Sequence, residues 1–347
     1  MTNTTKYIRI FIIVFSFFSA SFSLYIWQIF RTPNLQADKS ESFTLLIPSQ
    51  HANFETVWDS LKAHSVVKDE VSFKFLCKIL KYKDHVKAGR YVINKDMGNY
   101  AAIKMLKAGE QTPVKLTFNN VRLQKDLIHK IGTKFEFDSL SFATLISSDS
   151  VCRKYGFTTE TILCMFLPNT YQVYWDTTPQ KLLDRMKFEY DNFWTNDRKA
   201  KANILGMSTT DVQILASIVE EETKKNDEKP MVAGLYLNRL KINMPLQADP
   251  TVKYALKDFG IKRILLEQLR VDSPYNTYKN TGLPPGPIRL ADLSSVDAVL
   301  NPTKHNYTYM CANPALNGTH IFAENYEDHL KNAALYQAAL NQLGIKK

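Results

Sequence analysis

The stretch from Ser208 to Lys225, STTDVQILASIVEEETKK, decides the fold of the C-terminal part of this 347-residue chain. Its opening S-x-x-D pattern is a capping signal, in which Ser208 and Asp211 serve the first turn of a helix. Apolar residues then recur at helical spacing, which predicts a helix packed against a core. These apolar residues are Val212, Ile214, Leu215, Ala216, Ile218 and Val219.

Three acids close this predicted helix. At about 100° per residue, Glu222 falls on the same arc as Val219, Glu220 lies on its flank, and Glu221 points to solvent. Burial disfavours the charged form of a carboxyl and raises its pKa, which a general acid at neutral pH requires. The same residues are also consistent with a helix end whose acids are solvated and which is followed by Lys224 and Lys225. The residues alone leave both interpretations open.

The N-terminal region contains 21 consecutive uncharged residues, from Ile10 to Phe30. Such a helix spans a hydrocarbon core of about 30 Å. Lys6 and Arg9 precede it, which favours a cytoplasmic N-terminus. A cleaved signal peptide ending near Ala20 is the alternative. Either interpretation places the rest of the chain outside the cytoplasm.

The composition is that of a globular protein with two or three domains. Lys and Arg total 44 and Asp and Glu 34, so the net charge is +10. This charge suits membrane lipid, wall polymer or nucleic acid, but the dispersed basic residues exclude a nucleic-acid tail. The four cysteines form no CxxC motif, which argues against zinc. Cys152–Cys164 is the locally plausible disulfide, and buried free thiols are an equal alternative.

The chain divides into six predicted regions, and the fold class is α+β. A cytoplasmic tail (1–9), a transmembrane helix (10–30) and a polar linker (31–41) precede a small α+β module (42–110). A connecting region (111–206), with a charged helix over Pro179–Ala202, leads to a larger mixed α+β catalytic region (207–347). The module reads strand–helix–helix–strand–helix, over Phe43–Pro48, Phe54–Leu61, Val71–Leu80, Ala88–Ile93 and Asn99–Ala108.

Dense turn and polar signals follow the acid-bearing helix. Side chains of Gln, Asn, Asp and Tyr on proline-fixed loops could hold a sugar by hydrogen bonds and ring stacking, although the same loops read simply as turns. His320, taken alone, is more often structural than catalytic. The segments are Asn238–Leu240, Leu246–Val252, Tyr275–Tyr278, Gly282–Ile288 and Gly318–Phe322.

Together with Ala216–Thr223 (ASIVEEET), these segments resemble, in order and spacing, the endolytic murein (peptidoglycan) transglycosylases of the MltG, or YceG-like, family. The resemblance covers about residues 160–330. The earlier part fits more loosely, as a membrane anchor followed by a LysM-like module that contains Lys87–Tyr91 (KAGRY). The family pattern differs from this chain at Phe118–Val121 and Met165–Asn169.

The resemblance implies a catalytic glutamate, which aligns with Glu222; Glu220 is the second choice and a supporting group. It implies non-hydrolytic cleavage between N-acetylmuramic acid and N-acetylglucosamine inside nascent strands, with 1,6-anhydro ends and without metal or cofactor. Expected partners are peptidoglycan strands, the inner membrane, and synthases or division proteins, but no nucleic acid. The substrate-binding residues it implies are Glu220, Gln247, Asp249, Thr251, Asn276, Tyr278 and His320.

Two other activities remain open at this point. A hydrolytic muramidase needs a second carboxylate, for which Asp249 is the candidate. A non-catalytic wall-binding scaffold needs no acid at all.

Overall fold

The computed structural model describes residues 3–36, 41–95, 97–261 and 263–342. The chain forms two compact units. The first comprises the described residues up to Lys115, with Lys134–Phe137 and Gln172–Thr178. The second comprises Leu116–Thr133, Asp138–Tyr171 and the described residues from Pro179 onward. The predicted α+β class is confirmed, since each unit combines helices with short strands.

The first unit begins with a long apolar helix, α1 (Asn3–Arg31). It is the one helix in the described chain that is long and apolar enough to cross a membrane. Its apolar side chains are exposed over most of its length, but Ile29 near its end is 5% exposed and belongs to the core of this unit. The predicted span of 10–30 lies inside this helix.

The rest of the first unit is a two-stranded sheet with helices packed on it. The elements are β1 (Ser42–Ile47), α2 (Phe54–Ala63), α3 (Glu70–Ile79), β2 (Gly89–Asn94) and α4 (Asn99–Ala108). The strands are antiparallel, with Ser42 opposite Asn94 and Ile47 opposite Gly89. Asn53 and Asp69 cap α2 and α3 with their side chains, and Gly109 ends α4 in the left-handed conformation. These boundaries match the predicted order of elements.

The predicted linker over 31–41 is packed in its first part. Leu35 is fully buried and forms an isolated bridge with Val67. The buried side chain of Asn34 donates to Oδ1 of Asn99 (2.8 Å) and to the carbonyl of Asp69 (2.9 Å). The polar composition suggested a solvated tether, but these polar groups satisfy one another inside the fold. Residues 37–40 lie outside the described residues.

The connecting region is mainly helical. A pair of strands, β3 (Val114–Thr117) and β4 (Thr170–Val173), forms a two-stranded sheet. Helices α5 (Gln124–Gly132), α6 (Ser139–Ile146), α7 (Asp149–Lys154), α8 (Pro179–Phe193) and α9 (Asn196–Ile204) complete it. The prediction of one helix over Pro179–Ala202 was wrong, because Thr195 is extended and its side chain caps a new helix by accepting from Arg198 N–H.

Helix α10 (Thr209–Glu222) lies at the centre of the second unit, packed against α11 (Lys229–Lys241), α12 (Asp249–Leu256) and α13 (Leu293–Leu300). The predicted capping box is confirmed, with Ser208 and Asp211 bonded reciprocally. Residues 212–219 are all buried, so the helix is covered on every side and not only along one arc. Six of these eight residues are apolar, as expected of a helix inside a core, and the other two are Gln213 and Ser217.

The C-terminal part of this unit adds an antiparallel hairpin and a helix. These are β5 (Tyr309–Ala312), β6 (His320–Ala323) and α14 (Tyr326–Gln342). Tyr309 lies opposite Ala323, and Ala312 lies opposite His320. This register brings His320 and Cys311 to the same end of the hairpin.

All four cysteines are free thiols. Cys77, Cys152 and Cys164 are buried, and Cys311 is half-buried. The predicted alternative of a Cys152–Cys164 disulfide is therefore not formed. Both thiols are packed among apolar side chains, and burial raises the pKa of each.

Candidate active site

A polar cleft of about 220 Å³ opens at the C-terminal end of α10. Its floor and walls come from α10, α11, the 246–249 segment, the 278 loop and the β5–β6 hairpin. The polar side chains that line it are those of Glu222, Tyr236, Arg239, Gln247, Asp249, Tyr278, Cys311 and His320.

Glu222 is the last residue of α10 and enters this cleft half-buried. Thr223 turns the chain into extended conformation immediately after it. Burial raises the pKa of Glu222 to about 7. The nearby charge of Asp249 also raises that pKa, while Tyr236, His320 and Lys253 lower it. A carboxyl with this pKa carries its proton for much of the time at neutral pH.

Tyr236 on α11 is buried and donates a hydrogen bond of 2.6 Å to Oε1 of Glu222. This bond fixes the carboxyl group and leaves Oε2 as the oxygen that can carry the proton. Burial and the adjacent Glu222 hold the pKa of Tyr236 well above its usual range. Tyr236 therefore remains a neutral donor in both protonation states of the acid.

A second carboxyl lines the same cleft. Asp249, the first residue of α12, is exposed and accepts a 2.6 Å hydrogen bond from the hydroxyl of Tyr278. A negative charge at the start of a helix is favoured by the helix dipole. The two carboxyls therefore lie in different environments, that of Glu222 half-buried and that of Asp249 exposed to solvent.

Gln247 is placed by an unusual backbone. Its φ of 49° is in the left-handed region, and its N–H donates to the carbonyl of Thr277 (3.0 Å). Arg239, 7% exposed, donates to the carbonyls of Leu246 (2.8 Å) and Thr308 (2.6 Å) and also reaches Oε1 of Gln247 (3.4 Å). Arg239 thus ties the glutamine-bearing loop to the chain entering β5.

His320 borders the cleft at the start of β6. Its Nδ1 lies 3.1 Å from Oε2 of Glu228, and its backbone N–H donates to Oε1 of the same residue (2.6 Å). Glu228 immediately precedes α11, so this double contact joins the hairpin to the helix that carries Tyr236.

Glu221 was predicted to point to solvent, and this prediction was wrong. Its side chain belongs to an ion cluster. Its carboxylate accepts from Nη2 of Arg122 through both oxygens (2.9 and 3.0 Å), and Arg289 binds it from the other side. Its side chain is 17% exposed. The prediction failed because the last turn of α10 is covered by segments far away in sequence.

Glu220 also lies away from the cleft. Its carboxylate pairs with Nζ of Lys229 (2.8 Å) and accepts a hydrogen bond from Ser295. Both members of the ion pair are largely buried, with side chains 9% and 3% exposed. This position fits a link between α10, α11 and α13, and it does not fit the substrate-binding role predicted for Glu220.

Two further predicted substrate-binding residues lie beneath the cleft instead of in its lining. Thr251 is fully buried and its hydroxyl contacts that of Thr277 (2.8 Å). Asn276 is fully buried and donates to the carbonyls of Leu269 (2.9 Å) and Val271 (2.8 Å). They hold the loops that carry Asp249 and Tyr278. Gln247, Asp249, Tyr278 and His320 are brought together with Glu222, as the motif positions suggested.

The sequence reasoning missed Tyr236 and gave Arg239 no role. They are three residues apart on α11, so they share a helix face. A phenol and a guanidinium on one face of α11, next to the apolar residues Val232, Ala233 and Leu235, were the available signal. Their distance in sequence from Glu222 concealed that they meet it.

A larger cavity, of about 970 Å³, lies on the other face of α11, around Leu237, Lys241 and the 302–306 segment. Asp211 is the one acid among its lining residues, and it is engaged in the capping box of α10. Within the described ranges, no group of three or more His, Cys, Asp or Glu side chains is placed to hold a metal ion. The smaller cleft, which contains Glu222, is therefore the better candidate for a site of acid–base catalysis.

The sequence model of the YceG-like family matches residues 47–335, and the chain belongs to that family. A relative named endolytic murein transglycosylase, from Bacillus subtilis (strain 168), is 29% identical over 329 residues, covering 89% of this chain and 88% of the relative. One with the same name from Streptococcus pneumoniae (strain R6) is 28% identical, and the match covers 86% of this chain and 59% of that protein.

A solved structure is similar as well. The crystal structure of a YceG-like protein from Listeria monocytogenes shares 28% sequence identity with this chain, with a TM-score of 0.55. The match covers 84% of this chain and 98% of that one.

Proposed function

We propose that this protein is an endolytic murein transglycosylase that cleaves the bond between N-acetylmuramic acid and N-acetylglucosamine inside glycan strands. The observation that carries the proposal is Glu222, a half-buried carboxyl with a pKa of about 7 that faces a polar cleft. The names of the Bacillus and Streptococcus relatives supply the substrate class.

The reaction runs through one carboxyl. Protonated Glu222 gives its proton to the glycosidic oxygen, and the bond to the muramoyl anomeric carbon breaks. The resulting carboxylate then takes the proton of the muramoyl 6-hydroxyl, whose oxygen attacks that carbon. The product is a 1,6-anhydro end, no water is consumed, and Glu222 is again protonated. The N-acetyl group of the muramoyl residue stabilises the positive charge that develops on the sugar ring.

The other polar side chains of the cleft position the sugar. Gln247, Tyr278 and His320 offer hydrogen-bonding groups around the cleft, and each is held by a neighbouring segment of the protein. Such positioning contributes to rate by holding the 6-hydroxyl near the anomeric carbon. The negative charge of Asp249 raises the pKa of Glu222 and so favours its protonated form.

Helix α1 would anchor the enzyme in the cytoplasmic membrane by a single pass. Lys6 and Arg9 before the apolar run favour a cytoplasmic N-terminus, which leaves the second unit outside. An active site tethered in this way reaches glycan strands near the outer face of the cytoplasmic membrane, where new glycan is made. Cleavage there would terminate the elongation of these strands. In this proposal the first unit acts as a LysM-like glycan-binding module, and synthases or division proteins are its neighbours.

Product chemistry separates this proposal from its two alternatives. Purified peptidoglycan is digested with the protein, and the released fragments are analysed by mass spectrometry. Anhydromuramoyl ends are expected. Reducing muramoyl ends would instead indicate a hydrolase that uses Asp249 as its second carboxylate. Binding without any release of fragments would indicate a wall-binding scaffold. A Glu267→Gln variant is the matched control, because Glu267 is exposed and is not one of the residues that line the cleft.

A further inference from the structure

A second concavity in the same unit has the features of a carbohydrate site. It measures about 450 Å³ and lies between the start of α5, the 159–163 segment and the C-terminal end of α12. Tyr254 and Tyr275 form one wall, with ring centroids 4.7 Å apart and planes tilted by 43°. Both rings are half-buried, so each keeps part of its surface accessible. Its volume is in the usual range for small-ligand sites.

The pocket is held by the proline-rich loop that follows the cleft loops. A Cβ atom on Gly286 would come within 2.3 Å of the carbonyl oxygen of Glu160 and 2.9 Å of the Tyr275 hydroxyl. The loop therefore approaches both walls as closely as only glycine permits. On the opposite wall, the side-chain amide of Gln124 donates to the carbonyl of Thr159 (2.5 Å). This bond joins the start of α5 to the 159–163 segment, while the close approach of Gly286 constrains Tyr275.

Two elements connect this pocket to the catalytic cleft. Helix α12 carries Asp249 into the cleft and Tyr254 into the pocket, and the following loop carries Tyr278 into the cleft and Tyr275 into the pocket. The members of the first pair are five positions apart on α12, which is a rise of about 7.5 Å along the helix axis and a rotation of about 140° around it. A strand of several linked sugars that occupies the cleft would have to pass around this part of α12 to meet the aromatic wall.

The charges at the rim suit an acidic polymer. Lys125 and Lys257 line the pocket and are exposed, and Glu160 is the acid beside them. Tyrosine rings offer an apolar face for a sugar ring together with a polar hydroxyl. Exposed ammonium groups at this rim could pair with the carboxylates of a peptide stem on a bound glycan.

From these observations we propose that the Tyr254–Tyr275 pocket is an additional glycan subsite, which holds a sugar unit of the strand being cleaved and reads the acidic stem attached to it. The subsite rests on the proposed function, because it assumes that murein glycan occupies the cleft. Its occupant is a stem-bearing saccharide of the same strand.

Binding to full-length protein with Glu222→Gln, which stops turnover, tests the subsite. The probes are soluble stem-bearing glycan strands of several disaccharides and the single stem-bearing disaccharide, titrated by calorimetry. Tyr254→Leu keeps apolar bulk but removes the ring, and we expect it to weaken binding of the long strands about three- to tenfold. The ratio of the affinity for long strands to the affinity for the single disaccharide therefore decreases in this variant.

The charge contribution is tested by Lys125→Gln combined with Lys257→Asn. Both positions are exposed, and asparagine tolerates the left-handed backbone of Lys257 (φ 54°), so folding is preserved. We expect weaker binding of stem-bearing strands and no change for strands stripped of stems. Phe188→Ala, an exposed aromatic on α8, is the control that leaves both unchanged.

Affinity for long strands equal to that of the parent in both variants would overturn the subsite, as would an equal loss for strands and disaccharide. The proposed function is judged separately. If Glu222→Gln abolishes anhydromuramoyl ends while the pocket variants bind as the parent does, only the subsite is rejected. If Glu222→Gln leaves the release of those ends unchanged, the proposed function is rejected whatever the pocket binds.

Discussion

The hydroxyl of Tyr236 lies 2.6 Å from Oε1 of Glu222, and this contact defines the candidate acid. The two residues belong to α10 and α11, and the bond leaves one carboxyl oxygen free for the proton. Removing it should change the pKa of Glu222 without changing the backbone around it.

Tyr236→Phe should move the activity profile to higher pH. The tyrosine hydroxyl stabilises the carboxylate and lowers the pKa of Glu222, so its loss raises that pKa. The alkaline limb of kcat/KM, where the acid loses its proton, then shifts upward. Rates of anhydro-end formation between pH 5 and 9 measure the shift. Tyr171→Phe, which removes another buried hydroxyl, should leave the limb in place; an unmoved limb in Tyr236→Phe would contradict the assignment.

Asp249→Asn should move the same limb to lower pH. The negative charge of Asp249 raises the pKa of Glu222, and the amide removes that charge while keeping the shape of the side chain. Opposite shifts in Asp249→Asn and Tyr236→Phe would be difficult to produce by general damage to the fold. A loss of activity that is uniform across pH, without a shift, would mean that Asp249 acts in another way.

The stability of the fold should depend on pH through Glu222. Its pKa is about 7 in the folded protein and about 4.3 in an unfolded chain. The folded state therefore binds more protons in this window, and the free energy of unfolding decreases as pH rises from about 4 to 7. Glu222→Gln has no such proton, so at pH 8 it should be more stable than wild type by about 1–3 kcal/mol. Urea unfolding at pH 5 and pH 8 checks this, and an equal difference at both pH values would count against it.

The buried pair of Glu220 and Lys229 should matter for stability and not for substrate. Lys229→Met leaves a buried carboxylate without its partner, which should cost about 3–5 kcal/mol. Adding Glu220→Gln should recover part of that loss, because no unpaired charge remains. Thermal or urea unfolding of the single and double variants measures both effects. A several-fold rise in KM for Glu220→Gln alone, at unchanged stability, would restore the substrate-binding role.

Local signals in the sequence were sufficient for much of the fold. Residues close together in sequence were enough to predict three features: the capping box at Ser208, the apolar run of α1 and the order of elements in the first unit. The structure has them at nearly the predicted positions. The break between α8 and α9 was missed, because the side chain of Thr195 starts a new helix inside a charged stretch that predicted one continuous helix.

The candidate site, too, could be predicted in part from the sequence. Glu222 could be placed on the buried arc by helix geometry, since Val219 lies three residues before it. The environments of Glu220 and Glu221 could not, because Lys229, Arg122 and Arg289 come from distant segments. Thr251 and Asn276 share a motif with residues of the cleft, but each is two positions from the motif residue that lines it, Asp249 or Tyr278. Side chains two positions apart do not face the same way on a helix such as α12. Tertiary packing decides which of them reaches the cleft.

Whether Glu222 supplies the proton is tested most directly by comparing Glu222→Gln with wild type. The measurement is the rate at which each releases anhydromuramoyl ends from purified peptidoglycan. Glutamine keeps the size of the side chain and can accept from Tyr236, but it has no proton to donate to the glycosidic oxygen. Loss of a general acid predicts a decrease of about 10²–10⁴-fold with folding intact. A folded Glu222→Gln protein that releases these ends at the wild-type rate would contradict the account.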